Sequence, residues 1–202
     1  SLSGWLTFGI AIAFTVAGCG IAALSPLGFP TGFVVTATGW LLVALWLLVH
    51  DIAYPNLKRP NLPRFTSIGL LLGYGWLALG ALIVLGHGGT LSGLAYDAAL
   101  HAVFLGFVLS LVFAHAPVIL PAVVGKPFPF RRVLYAPAAL LHLSLAARVL
   151  ADLTTLPLLR EWAGLFNVVA IVLFGGLLAT LYRQGESSLE LAFRSGSAGF
   201  FP

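Results

Sequence analysis

With 202 residues, 60% of them hydrophobic and 8% charged, and a mean hydropathy of +1.05, the chain lies far outside the composition of soluble domains. Its excess of basic residues, net +4 with a pI near 9.6, is accounted for by loop positions facing anionic lipid headgroups and gives no support to nucleic-acid binding. A single cysteine excludes an internal disulfide and any thiolate cluster held by this chain alone, iron–sulfur ligation included.

Six stretches of roughly 20 residues are apolar on every face, the length that ~30 Å of hydrocarbon requires. In chain order the predicted spans are Trp5 to Leu24, Thr31 to His50, Thr66 to Leu85, Leu94 to Leu120, Arg132 to Ala151 and Trp162 to Tyr182. Proline- and glycine-rich connections separate them: "SPLGFP", "YPNLKRPNLPR", "GHGGTLSG", "VGKPFPFRR" and "TTLPLLRE". The expected fold class is all-α, a polytopic six-transmembrane-helix bundle over residues 1–183. The polar stretch 184–202 is expected as a peripheral tail.

The first stretch lacks an initiator Met and a basic leader, so it is read as a span and not as a secretory signal. "VAGC" at Val16 to Cys19 has the letters of a lipoprotein cleavage box without its charged leader; Cys19 is read as a small packing residue. Lys58, Arg59, Arg64, Lys126, Arg131, Arg132, Arg183 and Arg194 fall on one side, against Arg148 and Arg160 near the other. Basic residues in short loops stay cytoplasmic. Both chain ends are therefore expected on the cytoplasmic side, in a bacterial inner membrane.

The third span carries "GWLALGALIVLG", whose spaced small residues read as a helix-packing surface. The following "GHGGTLSG" lacks the Lys and the strand context of a phosphate loop.

The fourth span is bracketed by histidines in "HAVFLGFVLSLVFAHAP". At ~100° and ~1.5 Å per residue, the step from His101 to His115 falls about 40° short of four turns and rises ~21 Å. A regular α-helix puts both on one face, towards opposite leaflets. Ionisable residues inside a membrane are costly and point to function, and neutral imidazole ligates haem iron through one ring nitrogen. Four-helix membrane cytochromes b use this spacing to hold two stacked haems between two helices. The fifth span supplies only His142 as a matching ligand, at a depth between the other two. His101–His142 and His115–His142 pairings both stay open. His87 is an alternative outer partner for His101, and His50 an alternative inner partner for His115.

Asp97, one turn before His101, can accept its second ring N–H and fix the tautomer, or can serve as an acid near the helix N-terminus. Pro117 and Pro121 are expected to bend or end the helix beyond His115. In the fifth span Arg148 can pair with Asp152 one turn on, or neutralise a haem propionate. Asn167 in the sixth is read as an interhelical hydrogen bonder. Ser110 and Ser144 lie near histidines without an acid to complete a hydrolytic arrangement.

The stretch Tyr96 to Leu153 resembles the C-terminal helices of NnrS-like membrane proteins, a haem- and copper-containing family distantly allied with haem–copper oxidase subunit I. The matching elements are His101 before "VFLGFVLS", His115 near the end of the same helix, and "AARVL" with Arg148 at the end of the next. The resemblance implies haem binding more than turnover. The family's Gly-His-Thr-Gly-Arg-like segment is replaced by "AHAPV", and five scattered histidines without a His-His pair cannot populate a haem–copper centre.

The function expected is that of a haem b-binding membrane subunit for electron transfer in a respiratory or denitrification-related complex, with other subunits as partners and quinol as a donor. It is an anchor or carrier more than a complete enzyme. A cofactor-free scaffold for a larger assembly is the alternative. Copper on His87, His101 and His115 is a lesser possibility, because the chain has no Met to offer as a soft ligand. A transporter would be expected to show inverted repeats, which are not evident.

Overall fold

The computed structural model describes residues 2–24, 29–125 and 129–194, with side-chain surroundings for 4–24, 29–125 and 129–185. Lys126 and residues 195–202, the end of the expected tail, lie outside the described residues. The described residues form helices and short connections, with no strand among them.

Six helices are long and apolar enough to cross a membrane. The chain runs through α1 (Leu2–Leu24), α2 (Phe29–His50), a one-turn α3 (Ala53–Asn56) and α4 (Leu62–Gly86). The fourth span is α5 (Gly93–His101), a π-helical turn (Ala102–Val108) and α6 (Leu109–Val124) in one continuous rod. A 3-10 turn (Arg132–Leu134) leads into α7 (Tyr135–Thr154), and α8 runs from Pro157 to Arg194.

Helix ends differ from the sequence expectation for identifiable reasons. α4 and α8 begin earlier than expected, with Pro63 and Pro157 in their first turns, where a missing N–H has no intrahelical partner to lose. α6 passes Pro117 and Pro121 and ends only at Val124; packed membrane helices tolerate internal proline because neighbours and side chains satisfy the released carbonyls. α8 does not stop at Tyr182 but continues through the expected tail boundary to Arg194.

The spans pack as a central pair flanked by two hairpins. In the centre, α4 lies antiparallel to the fourth span along a ladder of small residues. Gly80 meets Val103 and Ala102, Gly73 meets Ser110 and Leu111, and Gly69 meets Ala114. Side chains no larger than hydrogen or methyl let backbones approach, which is how helices associate where lipid competes for every apolar contact. Thr66 adds a hydrogen bond from its hydroxyl to the Ala114 carbonyl at 3.0 Å.

The α1–α2 hairpin closes in the same way, Gly32 against Ala22 and Gly39 against Thr15, and then packs through α2 onto α4. The α7–α8 hairpin docks on the opposite side. Its own seam is polar at mid-depth, where Ser144 Oγ donates to Asn167 Oδ1 at 2.6 Å with both residues buried, as expected for Asn167. α1 packs extensively only on α2, and α8 on α7, with Phe174 of α8 also stacked on Phe113 of α6. Only 11% of the first span and 22% of the last are buried, against 44% of the third, so the outer hairpins present most of their surface to the surroundings.

Candidate functional site

α4 and α7 make no extended contact. At one end of the bundle α5 fills the space between them. Towards the other, α6 recedes and leaves a cleft of about 300 Å³. Its walls include Leu72 of α4, Ser110 and Phe113 of α6, and Leu143 of α7; Phe65 and Tyr135 meet edge to face at 5.1 Å across its end. Leu143 is 71% and Leu72 43% exposed, so the cleft opens sideways to where lipid chains lie.

One polar contact spans the gap. Trp76 on α4 donates its indole N–H to Nδ1 of His142 on α7 at 3.0 Å, both residues lying near the middle of their spans. The backbone of the fourth span places this indole. Leu109 N–H bonds to the Phe104 carbonyl, the i to i−5 pattern of a π turn, and Gly106 within that turn faces the Trp76 ring so closely that any Cβ would enter it. The hydroxyl of Ser110 donates to the Gly106 carbonyl, completing the bonding of a turn whose regular ladder is interrupted.

The bond fixes the chemistry of His142. An indole nitrogen only donates, so Nδ1 is the acceptor, and the proton of the neutral imidazole sits on Nε2. Neither nitrogen then offers a lone pair to a metal. The expected pairing of His142 with His101 or His115 on haem iron would require this bond to be exchanged for the metal. Trp76 lies 66 positions away in sequence, and no local pattern signals the contact.

The other four histidines are held in the opposite sense. Nδ1 of His50, His87, His101 and His115 lies 2.7 to 3.0 Å from the carbonyl oxygen four residues earlier. A carbonyl only accepts, so Nδ1 carries a proton, and in the neutral ring Nε2 keeps its lone pair. For His101 that carbonyl is the main chain of Asp97; the Asp97 carboxylate, expected to orient this ring, is engaged elsewhere. His50 stacks on Trp46 at 4.7 Å. His50 and His87 are exposed at helix ends.

His101 and His115 do not share a face. A π turn holds one residue more than an α turn, which rotates everything beyond it by about 100°. The packing agrees: His101 precedes Ala102, which meets Gly80, whereas His115 follows Ala114, which meets Gly69. The two imidazoles flank the α4 contact on opposite sides. Among the described residues no three His, Cys, Asp or Glu side chains are grouped to hold a metal ion, so His87, His101 and His115 are not assembled as a copper site.

Arg148 forms the expected ion pair with Asp152, Nε to Oδ2 at 3.0 Å, but within a larger network. Arg160 of α8 bonds Asp152 Oδ1 at 2.8 Å and Asp97 Oδ2 at 2.6 Å, and Arg148 also lies 3.8 Å from Asp97. Two arginines and two carboxylates thereby tie α5, α7 and α8 together at one end of the bundle. The Asp152 side chain is completely buried and that of Arg148 is 14% exposed. Carboxylates already supply what a haem propionate would bring to Arg148. The turn at Thr155 and Leu156 aims Arg160 at this site, with Leu156 N–H bonded to the Ala151 carbonyl at 3.0 Å.

The bundle and its polar bridges define an integral membrane protein with six apolar helices and a lipid-facing cleft. The chain belongs to the family described as Domain of unknown function (DUF8744), which matches residues 4–183 and so covers all six spans. No curated protein and no solved structure matches it.

Proposed function

We propose that this chain is a non-catalytic membrane subunit that scaffolds a larger assembly, in a bacterial inner membrane with its basic loops towards the cytoplasm. The observation that carries the proposal is the open packing of the outer hairpins. α1 leans on α2 alone, and most of the surface of α1 and α8 has no counterpart within the chain. The internal polar groups favour the same reading. Trp76 occupies the mid-depth histidine, and the two acceptor carboxylates occupy the buried arginine, which is the bonding of structural elements. Mild detergent extraction with chemical cross-linking tests it: cross-links from α1 or α8 to other chains are expected. Quantitative recovery as a monomer, with no cross-linked species, overturns it.

A second reading, haem b binding for electron transfer, is favoured by the unprotonated Nε2 of His101 and His115 in an apolar span and by the NnrS-like stretch from Tyr96 to Leu153. The residues of this chain do not fit a haem held between His101 or His115 and His142, because His142 has no lone pair to give. An axial pair would be drawn from His101 with His87, from His115 with His50, or from a ligand of another chain. A dithionite-reduced minus oxidised spectrum of the extracted assembly tests this. A b-type α-band lost on replacing His101 or His115, and kept on replacing His142, supports the reading; a haem-free assembly removes it.

A further inference from the structure

We propose that the cleft between α4, α6 and α7 is a binding site for a lipid-soluble quinone, with a ring carbonyl accepting the Nε2–H of His142. This goes beyond the scaffold reading and does not rest on it.

The donor is the starting point. Nδ1 of His142 accepts from Trp76, which leaves Nε2–H as a donor near the middle of the bilayer. No described residue accepts from it. The atom is not walled in either, since the buried side-chain atom without a partner among the described residues is Asn56 Oδ1. His142 itself lines the spaces on both sides of the Trp76 bridge, which makes them the places from which an acceptor can reach it. An N–H left in hydrocarbon without an acceptor is strongly unfavourable.

The acceptor has to come from a molecule otherwise at home among apolar walls. An acyl chain has none to offer. A water molecule needs two to four polar partners, and besides His142 the cleft lining offers only the hydroxyls of Ser110, which already donates to the Gly106 carbonyl, and Tyr135. A quinone combines a carbonyl oxygen with a flat apolar ring and a hydrocarbon tail. The cleft supplies Phe65, Phe113 and Tyr135 for offset or edge contacts with a ring. Its volume of about 300 Å³ is at the lower end of small-molecule sites. The sideways opening between Leu72 and Leu143 lets a tail leave into the lipid. The donor is also held in place before any ligand arrives, through Gly106 against Trp76 and Trp76 against His142.

The test uses the full chain in phosphatidylcholine nanodiscs, with decylubiquinone binding followed by displacement of a photoreactive azidoquinone and mapping of the adducts. Saturable binding is expected, with adducts on residues 65–76 or 135–143. His142→Leu should weaken binding about tenfold, the worth of one hydrogen bond in a dry site. His142→Gln keeps an acceptor for Trp76 and a donor for the ligand, and should stay within about threefold of the parent. Leu143→Trp narrows the lipid-facing mouth without touching the Trp76 bond; it should lose labelling while the unfolding temperature holds, and it decides the matter with His142→Gln if the leucine variant does not fold. Non-saturable partitioning, equal binding by the parent and His142→Leu, or displacement of the label by an alkyl phospholipid but not by quinone would each overturn the proposal, the last by assigning the cleft to an acyl chain.

Discussion

Trp76 and His142 join α4 to α7 through one hydrogen bond of 3.0 Å, across a gap that no other extended packing closes. The bond sets the imidazole tautomer, separates the two lipid-facing cavities that His142 lines, and depends on a glycine in a third element. Its energetic weight is open to direct measurement.

Trp76→Phe removes the N–H while keeping most of the aromatic bulk, and should cost about 1 kcal/mol of stability. In a double-mutant cycle with His142→Leu, the combined loss should fall short of the sum by a comparable amount. Thermal unfolding of the four proteins in one detergent measures this; strict additivity would mean that the two side chains are not coupled.

Gly106→Ala should be among the most damaging of the conservative glycine changes, because the new methyl enters the Trp76 ring. Overpacking of this kind costs roughly 1–3 kcal/mol. Gly75→Ala, one residue before Trp76 and with nothing near its added methyl, should be neutral or stabilise the helix by up to about 1 kcal/mol. A lower unfolding temperature for the second variant than for the first would contradict the packing described.

Asp152→Asn preserves shape but strips the charge from the buried member of the Arg–Asp network, leaving two arginines short of a counterion. Breaking a buried ion pair in this way costs about 3–5 kcal/mol. Asp97→Asn, at a side chain 36% exposed, should cost less than about 1 kcal/mol. Chemical unfolding in mixed micelles should preserve that order.

Replacing Ser144 with Ala should cost more than replacing Asn167 with Leu. When the asparagine goes, the Ser144 hydroxyl can turn its single hydrogen to the Leu140 carbonyl at 2.7 Å, whereas the Asn167 oxygen loses its donor in a buried seam when the serine goes. The expected difference is about 1 kcal/mol, readable from the two midpoints.

The six spans were legible because the bilayer demands length and apolarity, and residues 31–50 or 66–85 satisfy both without reference to any neighbour. Arg148 with Asp152 was legible for a similar reason, since a spacing of four is a contact made by one helix alone. The site depended on features that local pattern does not carry. "HAVFLGF" has the hydropathy of any apolar span, and nothing in it marks the extra residue of the π turn that sends His101 and His115 to different faces. Trp76 lay in a stretch read only as a helix-packing surface, and its meeting with His142 is a product of how α4 and α7 stand in the bundle. Arg160 read as a loop cation until the tight turn at Thr155 folded it back onto Asp152 and Asp97.

That turn also bears on how the chain enters the bilayer. Asp152 and Arg160 sit at facing ends of consecutive helices, so α8 brings a second arginine to a carboxylate that Arg148 of its own helix already pairs. Delivered singly, the seventh helix would bring a carboxylate to the membrane without its second cation. Asp97 belongs to a span made earlier, and its carboxylate stands ready at the surface where Arg160 arrives. Within the network the final pair carries two arginines against one carboxylate, so Asp97 supplies the balancing charge that latches it to the preceding spans.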